Sequence, residues 1–140
     1  MRELVLFYSY SGHTKKIAEK FGEENKFDIC EATDKKRPNK FAAFTVGIVK
    51  AVRGSGRKVN PLAIGEKPVK FEDYEAVDVF APIWAGHPAP SANAALKMLP
   101  QGTKVKLFMV SQSGNSEKEK ITKRVQDLGL EIIAYENIKS

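Results

Sequence analysis

The stretch that decides the fold of this 140-residue chain is residues 4–14, LVLFYSYSGHT. Its first five residues form a short, continuous apolar run, which is typical of a strand buried on both faces of a parallel sheet. Residues 9–14 then supply hydroxyl groups and a glycine, and a helical pattern with Ile17, Ala18 and Phe21 on one face follows. A strand, a polar loop and a helix in this order predict the first unit of an α/β fold.

Four further apolar runs resemble the first, at residues 27–30, 76–81, 105–110 and 130–135. Between them, helical spacing recurs over about residues 39–52, 91–99 and 116–128, and Gly129 follows where the last helix should stop. Strands that alternate with helices predict one parallel sheet with right-handed crossovers. The length fits a single domain over residues 1–140. We expect residues 53–69 to form an irregular connection.

Composition excludes several classes of protein. No apolar run approaches the roughly 20 residues that span a bilayer, and the N-terminal residues lack the apolar region of a signal peptide. Cys30 is the only cysteine, so an intrachain disulfide and a cysteine metal cluster are excluded. We expect a cytoplasmic protein in which Cys30 is a buried, unreactive thiol.

The net charge of +6 is concentrated in one segment. From Lys35 to Lys58 there are eight basic residues and no acidic one, whereas the rest of the chain has 15 basic and 17 acidic residues. This basic patch predicts an acidic partner whose association weakens as salt rises. A contact with a membrane surface is an alternative. Nucleic-acid binding is disfavoured, because the patch lacks interleaved aromatic residues and any recognised motif.

The first candidate site is the loop after the first strand. In a parallel sheet such loops gather at the carboxyl edge, where ligands bind. Hydroxyl donors, a glycine and the N-terminus of the following helix predict a phosphate site made of neutral donors. The candidate residues are Ser9, Tyr10, Ser11, Gly12, His13 and Thr14. The alternative is a Ser/Thr helix cap without a ligand.

Two later loops carry the remaining candidates. The only tryptophan, Trp84, lies in a loop punctuated by proline and glycine, where it can stack on a planar ring while Gly86 offers its backbone amide; alternatively it folds back into the core. The polar loop after the fourth strand is a weaker signal, since such loops are often simple turns. The candidate residues are Pro82, Ile83, Trp84, Ala85, Gly86, His87, Ser111, Gln112, Ser113, Gly114 and Asn115.

Two competing nucleotide motifs are excluded. The chain has no Gly-Lys-Ser/Thr sequence, so it is not a P-loop NTPase. Residues 53–56, RGSG, imitate the start of a dinucleotide fingerprint, but Val59 occupies the place of the third glycine and is followed by Asn60-Pro61 in place of a helix.

The chain resembles the flavodoxin-like family of FMN-binding proteins over nearly its whole length. Ser9-x-Ser11-Gly12-x-Thr14 matches the phosphate loop of that family. Residues 74–78 leading to 81–86 resemble its third strand and flavin-flanking loop, and residues 86–90 are similar to small bacterial and archaeal members. The resemblance implies a doubly wound, five-stranded parallel sheet of order 2-1-3-4-5 with FMN held non-covalently at its carboxyl edge.

The resemblance also implies a role for each loop. Residues 9–14 would bind the phosphate, and Trp84 would cover the isoalloxazine ring. Ala85 and Gly86 would present backbone groups to the N5/O4 edge of the ring, and residues 111–115 would border its pyrimidine side.

The chain departs from the family in three respects. It is basic where electron-shuttling flavodoxins are acidic, its third loop has no aromatic residue, and the usual C-terminal helix is missing. An uncovered sheet face would expose apolar surface, so we expect a homodimer. The apolar helix at residues 41–49 favours the same expectation, unless residues 59–71 cover it.

These features favour an FMN-dependent electron-transfer protein with an acidic redox protein or a small-molecule electron acceptor as its partner. One alternative is a small FMN-dependent NAD(P)H:quinone or flavin reductase, with His87 as a proton donor near the ring. A structural role for His87 in its loop is an equal possibility. The third function is a flavin-free partner-binding module.

Overall fold

The computed structural model describes residues 2–35 and 58–140. The helix expected over about residues 39–52 lies outside these residues, as does most of the basic patch. Six of the 23 basic residues and none of the 17 acidic ones fall at positions 36–57. The described residues therefore carry 17 charges of each sign, and the positive excess belongs to the segment between them.

The described elements alternate between strands and helices. In chain order they are β1 (Glu3–Phe7), α1 (His13–Asn25), β2 (Asp28–Glu31), β3 (Ala63–Ile64), β4 (Lys67–Pro68), β5 (Ala76–Trp84), β6 (His87–Pro88), α2 (Pro90–Lys97), β7 (Lys104–Ser111), α3 (Lys118–Asp127) and β8 (Glu131–Lys139). The five main strands are parallel and lie in the order β2-β1-β5-β7-β8. The predicted α/β class and the strand order 2-1-3-4-5 are confirmed.

Alternation along the strands builds a core on each face of the sheet. Leu4 and Leu6 of β1 point to the face covered by α2 and α3, where Leu96 and Ile121 pack. Val5 and Phe7 point to the opposite face, beneath α1. Both sides of β1 are therefore buried, which explains its continuous apolar run.

The face beneath α1 is closed by aromatic rings. Phe80 and Phe108 stack with their ring centroids 4.4 Å apart, and Phe21 of α1 lies 5.3 Å from each of them. Phe108 is only 7% exposed. Toward the start of β7, the next residue on this face is Lys106. On the neighbouring strand β8, Glu136 lies opposite Phe108 in the register.

The described part of the face beneath α1 therefore exposes less apolar surface than we expected, because charged side chains follow where the aromatic cluster ends. The large hydrophobic side chains exposed among the described residues are Ile64, Met98 and Ile133. The homodimer stays a prediction, but the described part of this face provides little apolar area for it.

A carboxyl group is buried on the same face. Asp78 of β5 is fully buried, and no described donor forms a hydrogen bond to either of its oxygens. Lys106 Nζ instead lies 2.9 Å from Oε1 of the neighbouring Glu3. Burial, together with the adjacent Glu3 carboxyl, raises the pKa of Asp78 to about 8.

Three local features were expected from the sequence, and the structure differs from two of them. The end of the predicted connection forms the β3–β4 hairpin, so residues 63–68 are not irregular. Residues 82–84, expected in a loop, continue β5 and pair with β6 in an antiparallel hairpin. The buried state of Cys30 is confirmed, and burial also raises the pKa of its thiol, which keeps it unreactive.

Candidate functional site

The first loop leaves the N-terminus of α1 without a side-chain cap. Gly12 occupies the cap position with φ +99°, and among the described residues no side-chain cap bonds to the start of the helix. The Ser9 hydroxyl accepts a bond from the Gly12 N–H at 3.0 Å and closes the loop instead. A Ser/Thr cap therefore does not account for this loop in the described residues, and a helix terminus of this kind is suited to an anion.

The surroundings of this terminus suit an anion. The first turn of α1 contains no acidic residue, and a Cβ placed on Gly12 would meet no described atom within 4 Å. Ser11 Oγ lies 3.3 Å from Nδ1 of His13, while Thr14 is buried beneath the turn. The opening of the loop is thus formed by neutral donors and the positive end of the helix dipole.

The second candidate loop is a tight hairpin. Trp84 pairs with His87, and the two residues between them, Ala85 and Gly86, both have positive φ, at 50° and 83°. Positive φ at both central positions is the requirement of a type I′ turn. An alanine rarely adopts this conformation, and such residues concentrate at functional sites.

Trp84 packs against the core and also contacts the first loop. Its side chain is half-buried and packs against the main core. Its ring also meets Tyr10 of the first loop edge-to-face, with the centroids 5.8 Å apart and the planes at 89°. Tyr10 thus brings a second aromatic ring to this edge of the sheet, although it comes from the first loop and not the third.

The second and third loops together form a cleft of about 480 Å³. The second loop contributes Ile83, Ala85 and Gly86, and the third loop contributes most of its polar residues. The described lining from the third loop and the residues after it is Ser111, Gln112, Ser113, Asn115, Ser116 and Glu117. A cleft of this size, with polar groups that include the Glu117 carboxylate on one wall, is typical of a small-molecule site.

Sequence reasoning missed Ser116 and Glu117, because it placed them inside the last helix. In the structure α3 begins at Lys118. The spacing of Ser116 and Glu119 resembles a capping box, but Glu117 occupies the cap position in the structure and makes no side-chain cap bond, so this spacing would not have placed the boundary.

The third loop is held in one conformation by Ser111. Its hydroxyl accepts hydrogen bonds from the N–H groups of Gly114 and Asn115 at 3.0 and 3.1 Å, and donates to the carbonyl of Asn115 at 3.1 Å. The Ser113 hydroxyl accepts a further bond from Asn115 N–H at 3.2 Å. The cleft wall is therefore organised by contacts within the loop itself.

A backbone hydrogen bond joins the two walls of the cleft. The N–H of Glu117 donates to the carbonyl of Gly86 at 2.8 Å. A Cβ on Gly86 would lie 2.9 Å from Cγ of Glu117, too close for an ordinary contact. Gly86 is thus required both by its φ and by the approach of Glu117.

His87 lies outside the cleft. It is 3% exposed, and Nη1 of Arg124 lies 3.2 Å from its Nδ1. Because a guanidinium only donates, Nδ1 must be the acceptor and Nε2 carries the proton. Burial, followed by the charge of Arg124, lowers the pKa of His87. The ring is a neutral core group, so the geometry favours its structural role over that of a proton donor.

A buried network supports the first loop from below. Tyr8, at the end of β1, donates a hydrogen bond to Oδ2 of Asp34 at 2.8 Å, and the Ser91 hydroxyl donates to Oδ1 of the same carboxylate. These contacts tie the end of β1 to the segment after β2 and to α2. The sequence did not indicate this pairing, since the three residues are far apart along the chain.

The sheet order, the uncapped helix after β1 and the cleft at the carboxyl edge together define the flavodoxin-like fold, and this chain has that fold. A flavoprotein from Lactobacillus acidophilus, solved in complex with FMN, matches with a TM-score of 0.76 and 23% identity, over 96% of this chain and 91% of that one. A flavoprotein from Bacteroides eggerthii gives 0.75 and 20%, over 96% and 86%.

A flavodoxin from the Archaea matches with a TM-score of 0.53 and 15% identity, over 99% of this chain and 85% of the other. At these identities the comparisons establish the fold alone. No protein-family model matches the chain, and no curated protein matches it. Among the described residues, no helix has both the length and the apolar character needed to cross a membrane.

Proposed function

We propose that this protein binds FMN at the carboxyl edge of its sheet and acts as an electron-transfer protein. The observation that carries the proposal is the uncapped N-terminus of α1, whose open glycine lies at the same sheet edge as a cleft of about 480 Å³. A phosphate suits the first feature, and a planar ring suits the second.

The donor groups fit the parts of the cofactor. The backbone N–H groups at the start of α1, with the hydroxyls of Ser9 and Ser11, would hold the phosphate. Trp84 would cover the ring, with Tyr10 supporting it from the side. The cleft walls would contact the ring edges through the turn at residues 85–86 and the loop at residues 111–115. Bound FMN supplies one- and two-electron redox chemistry, and the protein provides binding and orientation.

The electron-carrier role is favoured over a reductase by the position of His87. The proton donor considered for a reductase is His87, and this neutral, buried ring does not line the cleft. We further propose that the electron acceptor is acidic or a small molecule, that the protein works in the cytoplasm and that it forms a homodimer. The basic segment at residues 35–58 supports an acidic partner.

The test is reconstitution of the purified protein with FMN, followed by removal of free cofactor. Retention of one FMN per chain, with rapid one-electron exchange with dyes and negligible steady-state NAD(P)H oxidation in the presence of quinone, would support an electron carrier. Efficient NAD(P)H:quinone turnover would establish the reductase instead. Failure to retain FMN would leave the flavin-free binding module as the remaining function.

A further inference from the structure

A second cavity, of about 170 Å³, opens between α2 and α3 behind the β5–β6 hairpin, and it shares no lining residue with the cleft. Its wall includes Leu96, Ile121 and Val125, each at most 2% exposed. Pro88 and Leu128 complete the apolar part of the lining, and Asn93 contributes an amide. The cavity therefore offers a largely apolar wall to a small ligand.

The charges on this cavity all have one sign. Lys97, at the end of α2, and Arg124, in α3, line it, and no carboxylate does so among the described residues. Lys97 is exposed and forms no ion pair with a described residue. Arg124 is half-buried and donates to the neutral ring of His87. An apolar wall with two cations is complementary to an anion that carries an apolar body.

We propose that this cavity binds a small carboxylate with an apolar body about the size of a benzene ring, its carboxylate directed to Lys97 and Arg124. The size follows from the volume, since an apolar cavity of about 150 Å³ accommodates benzene. The charge follows from the lining. The site is independent of the FMN proposal, because the two cavities have separate walls.

The structure also connects this site to the cleft. Arg124 donates to His87, and His87 pairs with Trp84 in the hairpin whose turn lines the cleft. The guanidinium of Arg124 donates a hydrogen bond to His87 in this structure. A carboxylate bound to Arg124 would compete with His87 for that guanidinium. Occupancy of the α2–α3 cavity should therefore change the environment of the His87 ring and of the Gly86 amide.

The experiment is a titration of the ¹⁵N-labelled full chain followed by NMR, with benzoate, benzyl alcohol and benzylamine as probes of similar size and different charge. The expected result is saturable shifts of the Leu96 and Arg124 amides with benzoate. Benzyl alcohol should bind at least about tenfold more weakly, and benzylamine should give no saturable shift. The His87 ring signals and the Gly86 amide should move with benzoate.

Two variants and a control test the assignment. Lys97→Gln should weaken benzoate binding by about two- to fivefold, the range of an exposed ion pair, whereas Lys104→Gln, which removes an exposed lysine from β7, should leave it unchanged. Leu128→Phe should fill the cavity and abolish binding, with an otherwise dispersed spectrum as evidence of folding. Similar affinities for the three probes, shifts confined to other surfaces, or unchanged binding in Leu128→Phe would overturn the site. Silent His87 and Gly86 signals would overturn its connection to the cleft.

Discussion

Replacing Asp78 with asparagine should make the stability of this protein less sensitive to alkaline pH. The Asp78 carboxyl is fully buried without a described hydrogen-bond donor, and burial together with Glu3 raises its pKa from 3.8 to about 8. The folded state therefore holds a proton between these two values that the unfolded state has released. Stability is greatest below pH 4 in this respect and falls as pH rises toward 8.

The magnitude follows from the width of that window. Each pKa unit is worth about 1.4 kcal/mol, so the ionisation of Asp78 should cost roughly 3 kcal/mol between pH 5.5 and 8.5. Burial alone would raise the pKa of Glu3, but Asp78 and Lys106 both favour its charged form and lower the pKa overall. Glu3 is therefore already ionised throughout this range. Asparagine has nearly the same shape and no charge, so the Asp78→Asn variant should not lose this stability as the pH rises.

The assay is urea unfolding followed by the fluorescence of Trp84, at pH 5.5 and at pH 8.5, for both proteins. The difference in unfolding free energy, variant minus wild type, should increase by about 3 kcal/mol from the lower to the higher pH. Asp127→Asn, which changes an exposed carboxylate on α3, should give a difference that does not vary with pH. A constant difference for Asp78→Asn as well would refute the reasoning.

Three further substitutions have defined outcomes. In a fluorescence titration, Gly86→Ala should weaken FMN binding at least tenfold, since its Cβ would lie 2.9 Å from Glu117. The control is Gly102→Ala, at a residue with φ +85° and no described atom within 4 Å of the added Cβ. This variant should lose stability but keep its FMN affinity. Phe108→Ala should lower the free energy of unfolding by about 3–4 kcal/mol in a urea titration. Ile133→Ala, at a side chain that is 45% exposed, should lower it by less than about 1 kcal/mol. Equal losses would contradict the claim that the aromatic cluster stabilises this face. Ser111→Ala should release the third loop, so its amides should exchange with solvent faster than in the wild type; unchanged exchange would show that other contacts hold the loop.

The alternation of strands and helices was predictable from local patterns, whereas the strand order was implied by the resemblance to the flavodoxin-like family. Continuous apolar runs indicate strands buried on both faces, and a glycine before a helix indicates a loop that can approach an anion. The first loop shows this clearly, since the neutral donors at residues 9–14 are the groups that surround the helix terminus in the structure.

The remaining features depend on contacts between distant residues. Pro82 indicated a loop, but the type I′ turn at Ala85-Gly86 extends β5 past it into a hairpin. His87 was a candidate for the cleft until the hairpin directed it toward Arg124 of α3. A tertiary partner decides each of these outcomes, and the local sequence does not contain that partner.

The central claim is that the loop at residues 9–14 holds the phosphate of FMN. The most direct measurement compares the affinities of the apoprotein for FMN and for riboflavin, which differ only in the phosphate, by quenching of flavin fluorescence. FMN should bind at least about 30-fold more tightly than riboflavin, as expected for several charge-assisted hydrogen bonds. Equal affinities for the two flavins, or no binding of either, would contradict it.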